Sequence, residues 1–185
     1  MSAESMTELV VMGQGYVGLP MALRAAETGI RVTGFDINTS LTAALQAGTS
    51  HIGDVTDAEL AAGLAGNYRA SSDPACLATA DVVLVCVPTP LGPDGGPALG
   101  AVESAADLIG AHVRPGSLCI LESTTYPGTT EEVLVPILES SGLRVGVDVN
   151  CAFSPERIAP GNSTYTLRNT PKVVGGMTPG CTERA

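Results

Sequence analysis

Short apolar runs alternate with helix-spaced apolar faces along most of this 185-residue chain. Leu9-Val10-Val11-Met12 opens the pattern as a strand over residues 8–12, and apolar positions between 17 and 28 then recur at helical spacing. A second strand follows at 31–36. The next helix starts at Asn38 or Thr39, short polar residues that suit a cap, and stops near Gly48. After a polar loop over 49–56 come a short helix at 57–64 ending at Gly66, a short strand at 68–71, and a small helix entered through Asp73-Pro74, an N-cap with proline at the first helical position. Residues 81–87 read Asp-Val-Val-Leu-Val-Cys-Val. So continuous an apolar run predicts a strand buried on both faces, as in a parallel sheet covered by helices.

Four prolines and three glycines between 88 and 97 exclude regular structure there, so a loop leaves the carboxyl end of that strand. Ligands of doubly wound sheets bind at that edge. The pattern then predicts an amphipathic helix at 99–113, a strand at 117–123, a turn at 124–130, a helix at 131–140, a strand at 147–153 and a last short strand at 172–176. The βαβ alternation implies an α/β fold, a doubly wound parallel sheet of Rossmann-like type, in a single domain. Six parallel strands in the order 3-2-1-4-5-6 with right-handed crossovers give the economical topology. The domain runs over residues 8–176, between a flexible N-terminus at 1–7 and a C-terminal tail at 177–185.

The first strand runs directly into Gly13-Gln14-Gly15-Tyr16-Val17-Gly18, which opens a helix. In a Rossmann turn of this kind, Gly13 permits the sharp bend, Gly15 carries no Cβ to hold a phosphate away from the backbone, and Gly18 allows close helix–sheet packing. The N–H groups at the helix start and the helix dipole then favour an anion. Asp36, 18 residues beyond Gly18, closes the second strand, where a dinucleotide fold places the carboxylate that accepts from the adenosine ribose. A glycine pattern alone is weak in a chain with 22 glycines, but the strand before it, the helix after it and Asp36 supply the context. Gly13, Gln14, Gly15, Tyr16, Val17, Gly18 and Asp36 therefore form a candidate NAD site.

Composition narrows the function. The net charge of −10 and nine scattered basic residues argue against nucleic-acid binding. An anionic ligand must be met by backbone amides, helped by one lysine, Lys172, and eight arginines. The five cysteines show no CxxC and no zinc spacing, so no metal site is expected. They read as reduced thiols, with Cys86 and Cys119 as small core residues, which fits a cytoplasmic protein. No segment reaches the ~20 apolar residues needed to cross a bilayer, so no membrane partner is expected. His51 and His112 read as ordinary surface or helix residues.

Five ordered motifs carry more. Gly13-Gln14-Gly15-Tyr16-Val17-Gly18-Leu19-Pro20, Val87-Pro88-Thr89-Pro90, Glu122-Ser123-Thr124-Thr125-Tyr126-Pro127-Gly128-Thr129-Thr130, Phe153-Ser154-Pro155-Glu156-Arg157 and Pro171-Lys172-Val173-Val174-Gly175-Gly176 resemble the UDP-glucose/GDP-mannose dehydrogenase family of nucleotide-sugar 6-dehydrogenases. The similarity covers residues 8 to about 176. Its third and fourth motifs look most like the branch acting on UDP-N-acetylglucosamine or UDP-N-acetylmannosamine.

The resemblance implies an NAD-dependent, four-electron oxidation of a sugar C6 alcohol to the carboxylate, through an aldehyde and a cysteine thioester, in polysaccharide biosynthesis. It places Thr125 and Glu156 at the reacting centre, where a hydroxyl can position water and a carboxylate can deprotonate it. Thr125 also joins Pro88 and Thr89 in lining the nicotinamide side. Family members often carry Lys or Arg about five residues after the ribose-binding Asp; here Leu41 stands there. They also carry a central dimerisation helix and a C-terminal domain supplying the nucleophilic Cys, a Lys and an Asn. Cys181 does not resemble that nucleophile and reads as a free terminal thiol. The resemblance thus implies an N-terminal fragment or truncated gene product, inactive alone, of a protein that is a homo-oligomer at full length and meets its UDP-N-acetylhexosamine with the missing domain. A non-catalytic NAD-binding module is the alternative. A short-chain oxidoreductase would need a Tyr-x-x-x-Lys pair, which Tyr16, Tyr68, Tyr126 and Tyr165 all lack.

Overall fold

A computed structural model describes residues 7–93, 95–157, 167 and 169–185. Of the sequence expectations, the flexible end over residues 1–6 and the surroundings of Tyr165 lie outside the described residues. The chain runs β1 (Glu8–Met12), α1 (Gly18–Glu27), β2 (Arg31–Phe35), α2 (Thr39–Gln46), α3 (Asp57–Ala65), β3 (Tyr68–Ser71), a 3₁₀ turn (Pro74–Thr79), β4 (Val82–Val85), α4 (Gly100–His112) and β5 (Leu118–Leu121). A π-helical turn (Thr130–Leu134) then leads into α5 (Val135–Ser140), followed by β6 (Asn150–Phe153), β7 (Gly175–Gly176) and α6 (Pro179–Arg184).

The six parallel strands stand in the order β3-β2-β1-β4-β5-β6, the topology the strand–helix alternation implies. Two hydrophobic clusters explain the near-continuous apolar strands. Val10, Met12, Val83 and Val85 point to one face, against α4 and α5, while Val11 and Leu84 point to the other, against α1, α2 and α3. Alternation with period two thus feeds two cores instead of a core and a solvent face. Cys119 and Cys151, register partners on β5 and β6, are buried free thiols in the first cluster. Asn38 caps α2 by accepting from the Leu41 N–H, and Asp73 caps the 3₁₀ turn at Ala75.

Four local departures have physical causes. The strand expected over 147–153 starts at Asn150, because Arg144 and Asp148 clasp a turn before it: Asp148 Oδ2 accepts from the Arg144 backbone N–H at 3.0 Å and from its Nε at 2.7 Å. Gly146, at φ +82, completes that turn. The helix expected over 131–140 opens with the π turn. Pro136, early in α5, has no N–H to give to the preceding turn, and the backbone widens there. The strand expected over 172–176 shortens to β7, which adds a seventh, antiparallel strand beside β6. Residues 179–184, inside the segment expected as a tail, form α6; it packs on β7 so closely that a Cβ on Gly176 would stand 2.2 Å from the Thr182 nitrogen. Cys181, carried on that helix, is a free thiol, as expected, and its side chain is buried.

The outermost strands carry side-chain caps. On β3 the Ala70 N–H donates to Gln46 Oε1 at 2.9 Å, and on β7 the Gly176 N–H donates to Thr182 Oγ1 at 2.9 Å. Among the described residues no helix is long and apolar enough to cross a membrane.

Candidate functional site

The strand order reverses between β1 and β4, and these two strands end in register, Met12 opposite Val85. At this switch point the chain leaves β1 through Gly13, whose N–H donates to the Phe35 carbonyl at 2.8 Å and whose φ is +89. A Cβ on Gly13 would stand 2.6 Å from the Cys86 carbonyl oxygen, so no other residue fits. Gly18 is tighter still. Its Cβ would lie 1.8 Å from the Gly13 carbonyl oxygen, so its absence lets the helix start fold back onto its own turn. Around Gly15, by contrast, no heavy atom of the described residues, its chain neighbours apart, comes within 4 Å of a Cβ position. The open side of the loop is there.

Among the described residues nothing accepts from the backbone N–H groups of Gly15, Tyr16 and Val17, which precede α1. No acidic residue occupies the first turn of α1, and Val17 offers no side-chain cap. That leaves donors and a positive dipole end for an anion. The Tyr16 side chain is exposed beside them. Asp36 faces the same crevice. Its Oδ2 accepts from the Gln14 N–H and its Oδ1 from the Asn38 N–H, both at 2.9 Å, so the carboxylate is held at two points while each oxygen keeps a further acceptor direction. Gln14 differs from the other candidates: its side chain is fully buried and points into the fold. Only its backbone takes part. Leu41 packs against the second hydrophobic cluster, which accounts for an apolar residue at that position.

A second group of candidates lies where β4 and β5 end. Ser123 Oγ donates to the Val87 carbonyl at 2.8 Å, and Thr89 Oγ1 donates to the Thr124 carbonyl at 2.5 Å. The two loops are thereby joined, and Pro88, Thr89 and Thr125 share one rim. Among the described residues Thr125 Oγ1 reaches only the neighbouring Tyr126 carbonyl, at a long 3.4 Å. Thr129, buried, donates to that same carbonyl at 2.8 Å and closes the turn.

Glu156 follows β6, next along the edge, and the structure gives it company that sequence reasoning did not assign. Lys172 pairs with Glu122 through a short ion pair and stands 3.6 Å from Glu156 Oε2. Glu122 is 4% exposed. Burial pushes its carboxyl above the usual range, and the Lys172 ammonium pulls it back. The Cys86 thiol beside this cluster is raised chiefly by its own burial. Glu122 and Lys172 stand 50 residues apart and both lie inside motifs quoted above. The available signal was Lys172 itself, the only lysine in the chain. His51 is exposed and His112 Nδ1 lies 2.9 Å from the Leu108 carbonyl at the end of α4; neither joins the site.

The turn, the held carboxylate and the β4–β5 rim together fit a dinucleotide laid across the switch point. Comparison with known proteins agrees. The family model described as "UDP-glucose/GDP-mannose dehydrogenase family, NAD binding domain" matches residues 7–185. The UDP-N-acetyl-D-glucosamine 6-dehydrogenase of Pseudomonas aeruginosa is 39% identical over 175 residues, covering 93% of this chain and 40% of that protein. The UDP-N-acetyl-D-mannosamine dehydrogenase of Escherichia coli K12 is 38% identical over 190 residues, covering 98% of this chain and 44% of that protein. The solved structure of the UDP-D-ManNAc dehydrogenase from Pyrococcus horikoshii superposes with a TM-score of 0.86 at 33% identity, over 96% of this chain and 43% of that one. The chain therefore spans about two fifths of the length of these relatives.

Proposed function

This chain belongs to the UDP-glucose/GDP-mannose dehydrogenase family, as an NAD-binding domain, and on that premise we propose that it serves the oxidation of the C6 alcohol of a UDP-N-acetylhexosamine to the uronate. The relatives acting on UDP-N-acetylglucosamine and UDP-N-acetylmannosamine support that substrate class. The observation that carries the cofactor side is the open position at Gly15, flanked by amides without acceptors and by the held Asp36 carboxylate. NAD, when bound, takes the hydride from the sugar carbon. The chain's own part is to hold and to orient: the turn from Gly13 to Gly18 receives the pyrophosphate, Asp36 accepts from the ribose hydroxyls, and Pro88 and Thr89 border the nicotinamide side. Thr125 and Glu156 position and deprotonate water at the substrate side.

NAD should be preferred over NADP at least about tenfold, since a 2′-phosphate would be brought against the Asp36 carboxylate and like charges so placed cost several kcal/mol. Calorimetric titration of both cofactors tests this. Asp36→Ala should narrow the gap mainly by weakening NAD, and equal affinities in the unaltered chain would refute the assignment.

The 185-residue chain should bind NAD without oxidising either UDP-N-acetylhexosamine, because none of its five cysteines lies in a motif resembling the family's nucleophile. Fused to the C-terminal part of the P. aeruginosa relative, it should produce NADH. In that fusion Glu156→Gln should slow release of the uronate more than the first hydride transfer, as single-turnover kinetics would resolve. Turnover by residues 1–185 alone would overturn these roles.

A further inference from the structure

Beneath the glycine turn lies a buried polar assembly drawn from three parts of the chain. Gln14 Nε2 donates to the Val11 carbonyl at 2.9 Å and to the Gly13 carbonyl at 3.3 Å, while Gln14 Oε1 accepts from the Tyr68 hydroxyl at 3.0 Å. Tyr68 opens β3, the outermost strand, and reaches this point across β2. It can do so because β2 carries Gly34, where a Cβ would stand 2.3 Å from Gln14 Oε1 and 2.7 Å from the Tyr68 hydroxyl. Gln14 and Tyr68 are 0% and 3% exposed, so water cannot replace either partner. Burial, and then the nearby Asp36 charge, push the phenol above its ordinary value, so it remains a donor.

The backbone of the same Gln14 carries the loop's second attachment, its N–H to Asp36 Oδ2 at 2.9 Å. We infer that Tyr68 is a positioning residue of the cofactor site: through Gln14 it fixes the turn that presents the Gly15–Val17 amides and that aims the Gln14 N–H at Asp36. Tyr68 touches no cofactor. Its contribution rests on the reading that this turn receives the pyrophosphate, and it extends that site by two strands.

Tyr68→Phe keeps the ring and removes only the donor, leaving Gln14 Oε1 buried without one. A polar atom so stranded is costly enough for the turn to shift instead. In the 185-residue chain, NADH affinity by fluorescence titration is expected to fall about tenfold while circular dichroism shows a folded protein. The preference for NADH over NADPH should narrow, because Asp36 loses one of its two anchors, the Gln14 N–H, and keeps only that of Asn38. Amide resonances of residues 14–18 and Asp36 should move while those of β5 and β6 stay. A residue that merely stabilised the fold would lower the melting temperature and leave the cofactor preference where it was.

NADH affinity within about twofold of the unaltered chain, in a folded Tyr68→Phe protein, would overturn the inference. Should that variant not fold, Gln14→Met is read the same way: a comparable loss supports the inference, and unaltered affinity overturns it. Gly15→Val separates this idea from the one beneath it. If that substitution abolishes binding and Tyr68→Phe does nothing, only the positioning role falls; if Gly15→Val binds normally, both do.

Discussion

Gly15→Val is expected to lower NADH affinity by at least about a hundredfold, close to 3 kcal/mol, while moving unfolding stability by less than about 1 kcal/mol. The asymmetry follows from geometry. Among the described residues, and apart from its chain neighbours, no heavy atom lies within 4 Å of the added Cβ, and the backbone of Gly15 is not in the left-handed region, so the folded apo chain tolerates the side chain. The volume it fills is the volume where a pyrophosphate must approach the amides. Its neighbours should behave oppositely: at Gly18 an added Cβ would meet the Gly13 carbonyl at 1.8 Å, and at Gly13 it would meet Cys86 at 2.6 Å, so either change damages the turn itself. Paired measurements of NADH titration and thermal melting distinguish the classes. If Gly15→Val melts early or binds NADH normally, the division of labour among the three glycines is wrong.

Lys172→Met is expected to destabilise the chain by about 3 kcal/mol near neutral pH, at the low end for breaking a buried ion pair because the lysine side chain is one third exposed. The loss should depend on pH in a definite direction. Burial raises the Glu122 carboxyl above its ordinary value of 4.5 and the Lys172 ammonium opposes that rise. A carboxyl raised in the folded state holds its proton where the unfolded chain has shed it. Its contribution to folding is therefore present below the ordinary value and is lost as pH climbs through the raised one. Without the ammonium the folded value climbs further, and the positive charge 3.6 Å from Glu156 Oε2 is removed as well. The variant should thus be nearest the parent at pH 5 and furthest from it at pH 8. Urea unfolding at several pH values measures this, and a deficit that does not change between them would refute the account.

Much of this architecture is local, and what is local was legible. Strand positions follow from unbroken apolar runs, Asn38 and Asp73 announce their helix starts by residue type, and the bend at Gly13 follows from its place after an apolar strand. The capping box at Thr56, with Glu59 three residues on, is just as local but was not among the caps read from the sequence; there each side chain satisfies the other's backbone N–H. Where sequence reasoning failed, the deciding contact was distant or competed with a local pattern. Val145, Val147 and Val149 alternate like a strand, yet the Arg144–Asp148 clasp turns the chain there. Gln14 looks like a polar residue facing a ligand. Only Tyr68, 54 residues away, and the missing side chain of Gly34 explain why it turns inward. The Glu122–Lys172 pair was hidden for the same reason.

The capped N–H groups on the two outermost strands bear on how the chain behaves in a crowd. A sheet grows by offering rungs to another strand, and a flat, unguarded side recruits copies of itself. Here the β3 side has its Ala70 rung taken by Gln46, and the β7 side is two glycines long with its rung taken by Thr182. Side chains from α2 and α6 thus act as stops at either end of the ladder, and short strands so guarded at both edges give another copy few free rungs to pair with.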